Sequence, residues 1–543
     1  MIDLFLSAGE APSATHWILL ILGALFMTLP VLGLVTAVDP TERRPGVGVL
    51  INLRTGASSA AGGAVRYLLL GVKNTSTGTG TAEVLYEDMA NADAVGTLSG
   101  AGSLTHLAAQ RLFEEHPTAS VDLVMMAAPA GNAAAGTITF DDTTAVTVDQ
   151  DVTITIAGRE IVTVWLAGET DIQAATRAVS KINAATKRLP VTAANGGGTL
   201  AAITLTAKSK GKWGLDVAYN CELSGGTGGA VTTAAAALTG GTTEPSATAA
   251  LALVASREYR LIVPCLSNAD LATASPTSAN MGLIKTHITG KNTGIGALLQ
   301  TAHTACTDST TNAKAMSNQH DTEYFTHHLI RGGQSLPAEW GGAIAGLYGR
   351  EIRSDANHPF VLAEFKDATE LYGSDDIDAD GLTAAEAEDL LASGVSYVEY
   401  TAQRRPRLAR PITCYFEDSD GNPDDRILDV SKVFGMIAVA ADLRTEVQRT
   451  FKGKKLLRNL PSGRTPIPPN VIEERDAKAF ILGRIRSQWV AAGVINGERL
   501  DVVIADGSLI VQVDPTDETQ LDAYLPLRVI PPLVKTSLVL VQA

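Results

Sequence analysis

Between Val65 and Lys73 the chain reads VRYLLLGVK, a short apolar run closed by glycine and asparagine. Such a run predicts a strand buried on both faces. Leu104, Leu107, Ala108 and Leu112 then recur at helical spacing across 102–115, and SVDLVMMA, from Ser120 to Ala127, reads as a second buried strand. Strand, helix and strand in this order predict an α/β layer. The pattern changes at Gly131. From GTITF at 136–140 through VTVDQDVTITIAGREIVTVWLA, apolar and polar residues alternate in short runs separated by Gly or Asp, which predicts an antiparallel β module. A helix is expected over Asp171–Ala184, with Ile172, Ala175, Val179 and Ile182 on one face. LPVTA, a glycine turn at Gly196–Gly198 and the strand AAITLTAKS follow. The stretch 224–246 is loop-like in composition and suited to closing an inserted domain.

The first pattern then resumes. Ala247–Arg257 reads as helical and Tyr259–Val263 as a buried strand, and the alternation continues to about Val398. Residues 411–416 and 426–430 read as a strand pair, Val433–Arg449 as a helix, 472–492 as another, and Val502–Val513 as strand, turn and strand around Asp506-Gly507. Near the N-terminus, Val47–Leu53 is a lone strand with nothing local to pair with, and Thr536–Val541 (TSLVLV) is another near the C-terminus. Unpaired strands of this kind are a means of pairing with other chains.

At 543 residues the chain is expected to form two or three domains. A net charge of −15 argues against a nucleic-acid partner, because phosphate repels an acidic surface. Cys221, Cys265, Cys306 and Cys414 stand far apart without a C-x-x-C pair, so a zinc ribbon has no support. His303 and Cys306, spaced like one helical turn, make half a metal site at most and read as two side chains on a helix. There is no P-loop, no G-x-S-x-G elbow, and no H-E-x-x-H around His320, His327 and His328. Asp376, Asp378 and Asp380 copy the first half of a calcium loop, but Ala387 stands where the bidentate Glu belongs. Thr383 and Glu386 read instead as a capping box opening a helix at Ala384. No catalytic, cofactor-binding or metal residue is therefore assigned, no cofactor is expected, and an enzyme is the weakest reading.

Two basic clusters interrupt the acidic chain: Arg404, Arg405, Arg407 and Arg410, then Arg449, Lys452, Lys454, Lys455 and Arg458. Each is either a solvated face or a docking stripe for an acidic partner. Trp17–Val38 is uncharged and long enough to span a bilayer. Three readings stay open for it: a membrane span, a buried apolar arm, or an extension that precedes a translation start at Met27. As a span it would make the protein a membrane-anchored β-rich surface or adhesin-like molecule.

Arg43-Arg44-Pro45-Gly46-Val47-Gly48-Val49 resembles the opening motif of contractile phage tail sheath proteins, with Gly48 where an aromatic is usual. AGTITF, ITIAGREIVTV, INAATKRLPVTA and ITLTAKSKGKWGLDV are similar, in order, to the insertion of the Mu-like myophage members. GLTAAEAEDLLASGVSYVEY, ITCYFEDSDGNPDD, the segment from RILDVSKVFGMIAVAADLRTEV to KGKKL, and LDAYLPLRVIPPLVKTSLVLV resemble the family's C-terminal half. The likeness spans nearly all of 43–543 and leaves out 1–42. It implies an α/β (α+β) core domain with an inserted mainly-β outer domain and extended N- and C-terminal β-arms. The divisions expected are an apolar extension (1–42), an N-terminal arm (43–60), a first α/β core segment (61–129), the insertion (130–245), a second α/β core segment (246–455), a C-terminal subdomain (456–525) and a C-terminal arm (526–543). It further implies a homo-oligomer in six-fold rings stacked into a helical sheath, located in the virion tail after assembly in the host cytoplasm. Its partners would be a tail tube protein and baseplate and terminator proteins. In this picture Val47, Val49, Ile51 and Leu53, with Leu538, Val539, Leu540 and Val541, pair strands between subunits, and Arg449, Lys452, Lys454, Lys455 and Arg458 face the tube.

Overall fold

The computed structural model describes residues 65–534 apart from 75–76, 197–200, 272–279, 293–296, 367–369, 418–420, 425–427, 459–469 and 515–519. The described chain divides into a large unit, 65–438 with 529–534, and a small unit, 439–528.

The large unit is organised by one sheet of nine strands. They are β1 (Arg66–Val72), β2 (Leu85–Met89), β3 (Ser120–Met126), β11 (Leu261–Pro264), β12 (Thr301–Cys306), β13 (Phe325–Leu329), β14 (Ala363–Glu364), β15 (Val395–Tyr400) and β16 (Pro406–Leu408). Their order across the sheet is β14-β16-β15-β13-β12-β11-β1-β3-β2. The central run from β15 to β3 is parallel, and antiparallel strands close both edges. Parallel strands need crossover helices on both faces, which is why these strands read as unbroken apolar runs. Alternate residues of β1 serve opposite faces. Tyr67 and Leu69 join the core under the helices Leu104–Glu115 and Pro337–Ile352; Leu68 and Leu70 join the core under Thr248–Leu253, Asn280–Lys291 and Thr310–His320. The 337–352 helix lies close on the 104–115 helix because glycines leave room. A Cβ on Gly342 would strike the carbonyl of Ala108, and one on Gly346 would sit 2.8 Å from that of Leu112.

Between β3 and β11 the chain leaves this sheet and builds two smaller ones. One holds β4 (Ala135–Asp141), β7 (Val191–Asn195), β8 (Ala202–Ala207) and β10 (Ala230–Thr233), in the order β10-β4-β8-β7. The other holds β5 (Gln150–Ile156), β6 (Arg159–Trp165) and β9 (Tyr219–Ser224), in the order β6-β5-β9. The helix Asp171–Ala184 has the expected bounds and a capping box from Thr170 and Gln173. Its buried face is Ala174, Ala175, Ala178 and Ile182; Ile172, expected inside, is exposed because it lies at the solvated first turn.

Three further expectations are corrected. The loop-like stretch 224–246 contains β10, which pairs antiparallel with β4; small residues gain a strand once a partner edge is offered. Among the described residues, 411–416 and 426–430 meet in one isolated bridge, Ile412 with Asp429, rather than in a pair of strands. The segment from Val502 begins inside a helix, Gly497–Ala505, capped by Asn496; only Ile510–Val513 (β19) is a strand, paired with Leu521–Tyr524 (β20).

The small unit takes the helix Val430–Phe451 from Val439 onward, the parallel pair β17 (Lys455–Leu457) and β18 (Val471–Glu473), the helix Glu474–Arg484 with a wider turn at Ile485–Val490, the 497–505 helix and the β19–β20 hairpin. Asp442 ties it together, accepting from Arg484 Nε and Nη2 (3.0 and 2.9 Å) and from Trp489 Nε1 (2.6 Å).

Candidate functional site

Four histidines converge on β12 and β13, and their surroundings decide what they can do. His303 is fully buried, with its ring nitrogens 2.9 Å from Thr301 Oγ1 and 2.8 Å from Thr326 Oγ1. His328 Nδ1 lies 3.1 Å from the Thr304 carbonyl and its Nε2 2.8 Å from the Tyr348 hydroxyl. His327 engages Thr304 Oγ1, and its ring lies tilted against that of His320, centroids 5.6 Å apart. Burial pushes His320 and His328 down to about 4, and His303 and His327 well below the usual imidazole value. Such burial favours the neutral ring; His303, His327 and His328 bridge β12 and β13, and His320 packs against His327 and Phe325. His303 and Cys306 sit on a strand rather than the expected helix. Three residues along a strand turn the side chains to opposite faces, so these two cannot share a ligand. Among the described residues no group of three or more His, Cys, Asp or Glu side chains is placed to hold a metal ion. The four cysteines are buried and free, and burial pushes the thiols of Cys221, Cys306 and Cys414 up to about 12.

The acidic half-loop is used in helix starts. Asp376 Oδ1 accepts from the Ala379 amide at 3.0 Å, and Asp380 Oδ2 accepts from Ser374 Oγ at 2.6 Å. The Thr383–Glu386 capping box is present and opens the helix Ala384–Ala392. Its bonds hold the Glu386 carboxyl below the ordinary value.

The basic residues separate on inspection. Lys452, Lys455 and Arg458 are exposed, whereas Lys454 is buried and Arg449 is paired with Glu446 at 2.7 Å. Five charges in ten positions do not make one free stripe, because the fold buries Lys454 and pairs Arg449 within its own helix. Arg404 and Arg405 are exposed; Arg407 pairs with Glu399 and Arg410 with Asp429. The strand-pairing residues Val47, Val49, Ile51, Leu53, Leu538, Val539, Leu540 and Val541, and the Trp17–Val38 segment, lie outside the described residues. Among those described, no helix is long and apolar enough to cross a membrane.

Sequence reasoning missed the most concentrated polar feature of the large unit. The β5–β6 hairpin turns through Ala157 and Gly158, both at positive φ, and delivers Arg159 to the first turn of the 337–352 helix. Arg159 is fully buried. Its Nη1 lies 3.3 Å from Glu339 Oε2, its Nη2 contacts Glu339 Oε1, and its Nε lies 3.3 Å from Glu370 Oε2. The guanidinium also donates to the Ala157 carbonyl at 3.2 Å and stands 5.7 Å over the Tyr372 ring. Burial works against its charge, but Glu339 and Glu370 outweigh that and hold its pKa above the usual value. An arginine at a two-residue turn and a glutamate in the first turn of an otherwise apolar helix were the available signals. Nothing in the linear order says that they meet across 180 positions.

Solved structures that resemble this chain include sheath proteins. A sheath tail protein from Listeria innocua is 12% identical, over 82% of this chain and 87% of its own, with a TM-score of 0.39. The PVC sheath complex of an extracellular contractile injection system, in its contracted state, is 9% identical over 93% and 98%, with a TM-score of 0.45. The helical sheath of the anti-feeding prophage, also contracted, is 9% identical over 93% and 100%, with a TM-score of 0.42. No protein-family model and no curated protein matches the chain.

Proposed function

We propose that this chain is a structural subunit of a contractile tail sheath, of the Mu-like type, and carries out no catalysis. The observation that carries the reading is the ordered series of sheath-like segments from Arg43 to Val541, each weak alone and all in family order. The role of the titratable groups supports it: the histidines, cysteines and acidic half-loop are occupied in packing, strand bridging and helix capping.

In this reading copies assemble as six-fold rings around a tail tube, between a baseplate and a terminator protein. Residues 130–245 project outward, and the arms at 43–60 and 526–543 add strands to neighbouring copies. The lattice is held extended and metastable until the baseplate signals. Each copy then shifts as a rigid body toward a more stable contracted packing and drives the tube through the target envelope. The stored energy lies in differential contacts between copies, so no nucleotide is needed. Gly56–Ala60 and Pro531-Pro532 serve as hinges for the arms. Lys452, Lys455 and Arg458 are the exposed members of the tube-facing group.

Electron microscopy of the purified chain at rising concentration, with and without tube protein, tests this. Hollow striated cylinders are expected, and monomers alone in both conditions would overturn the reading. Removing 536–543 should leave folded subunits that no longer polymerise, and normal cylinders from that truncation would sink the arm model.

A further inference from the structure

The turn between β15 and β16 holds its side chains out in a fixed shape. The Thr401 amide donates to the Arg405 carbonyl at 2.9 Å, the Arg404 amide to the Thr401 carbonyl at 2.8 Å, and the Arg405 amide to Thr401 Oγ1 at 3.2 Å. Ala402, Gln403, Arg404 and Arg405 are all exposed. Arg404 takes a φ of 61°, a conformation that glycine adopts freely and that crowds the Cβ of other residues. An arginine there carries a steric cost, and local strain of this kind points to a use for the side chain. Its guanidinium pairs with no carboxylate among the described residues, whereas Arg407 and Arg410, further along, are taken up by Glu399 and Asp429. The tube-facing group does not include this turn.

A complementary surface lies at the far end of the β5–β6 hairpin. The near end sits beside the base of the turn: Arg159 stands over the Tyr372 ring, and the Ser374 amide donates to the Tyr400 hydroxyl at 3.0 Å. The paired strands then run about 20 Å, from Ile156 and Arg159 to Gln150 and Trp165. Around that far end Asp141, Asp149 and Asp151 are exposed and Asp142 and Asp171 half-buried, and none of the five forms an ion pair among the described residues. Short bonds draw these loops together. Asp149 Oδ1 accepts from the Ala167 amide at 2.7 Å, Asp142 Oδ2 from the Asp171 amide at 3.3 Å, and the Val146 carbonyl from the Gly168 amide at 2.9 Å. Among the carboxylates three apolar side chains face solvent: Val148 (52% exposed), Leu166 (39%) and Ile172 (41%). Exposed apolar side chains set among unpaired like charges suit a partner that brings the opposite charge.

We infer that copies of this chain dock head to tail, the Arg404–Arg405 turn of one copy seating on the acidic and apolar end of the insertion of the next. The occupant is a second copy because the chain itself presents both halves of the contact, and the length of the hairpin holds them apart within one copy. Contact between two different surfaces is heterologous, so it repeats into rings or helical arrays instead of stopping at a pair. Asp375, Asp376 and Asp378 are exposed too, but they follow Ser374 beside the turn itself, and pairing with them would be isologous and would end at a dimer. The inference rests on the sheath reading only in taking copies to assemble; it adds which surfaces touch.

Charge exchange in the full chain tests it. Sedimentation of the parent at rising concentration should show association that weakens at least about tenfold between about 0.05 and about 0.5 M salt. Arg404→Glu with Arg405→Glu, or Asp141→Lys with Asp151→Lys, should each weaken association about tenfold at low salt without changing circular dichroism or melting. The chain carrying all four exchanges should recover it, and so should an equimolar mixture of the two double variants, because every turn then meets the opposite charge. Recovery in neither case overturns the inference, as does a parent that stays monomeric throughout. Asp376→Lys with Asp378→Lys should associate like the parent, and a tenfold loss there would move the contact to the wrong surface. Cylinders formed by Arg404→Glu with Arg405→Glu as readily as by the parent overturn the inference and leave the sheath reading standing. Oligomers that obey the exchange rule but never form cylinders uphold the inference and overturn the sheath reading.

Discussion

Replacing Arg159 with methionine keeps most of the volume of the side chain and removes its charge. Glu339 then keeps only the Leu336 amide at 3.1 Å and a distant Arg111 nitrogen at 3.9 Å, inside a site with no solvent exposure. A pair separated by 3.3 Å is worth about 5 kcal/mol at an effective dielectric near 20. Breaking a buried pair on one side usually costs about 3–5 kcal/mol, because the partner is left uncompensated. Arg159→Met should therefore destabilise the first turn of the 337–352 helix and the hairpin tip by about 4 kcal/mol. Adding Glu339→Gln removes the stranded charge and keeps an oxygen for the Leu336 amide. The double variant should recover to within about 1–2 kcal/mol of the parent. Native-state hydrogen exchange of the 337–352 amides reads this locally, without assuming that a chain of two units unfolds in one step. A single variant costing under about 1 kcal/mol, or a double variant as unstable as the single, would refute the argument that the cost is an unpaired buried carboxylate.

Gly342→Ala and Gly346→Ala should each cost about 1–3 kcal/mol in thermal unfolding, since the added carbon meets backbone carbonyls of the facing helix; Gly290→Ala, in open space, is the control and should be neutral or stabilising. Burial lowers His106, His320 and His328 to about 4, and His303 and His327 well below the usual imidazole value, against about 6.5 when unfolded; the contribution of the first three is complete above about pH 6.5 and is lost as pH falls toward 4, by up to about 1.4 kcal/mol per pH unit for each, and His303 and His327 act in the same direction. Asp216 and Glu244, raised by burial to about 7, act with the opposite sign in nearly the same window, so Asp216→Asn with Glu244→Gln should steepen the acid loss; a flat urea midpoint between about pH 7 and pH 5 in that variant contradicts both assignments. Neutralising Lys452, Lys455 and Arg458 should weaken association with a tube protein most at low ionic strength, and an affinity that ignores both salt and substitution removes these residues from the contact.

Periodicity alone located β1, β3, the 104–115 helix and the 171–184 helix, because burial on one or two faces leaves a regular mark in the order of residues. The Thr383–Glu386 cap was equally legible, its partners being three positions apart. Local order failed where a partner from elsewhere decides. Ala230–Thr233 is a strand only because β4 offers an edge, and 497–505 is a helix although its apolar residues also fit a strand. His303 and Cys306 read as helical neighbours, and parallel pairing with β11 and β13 put them on opposite faces. The Arg159–Glu339–Glu370 key was invisible for the same reason. It joins residues far apart in the chain, and the burial that sets the energy of a charge exists only after the fold has closed around it.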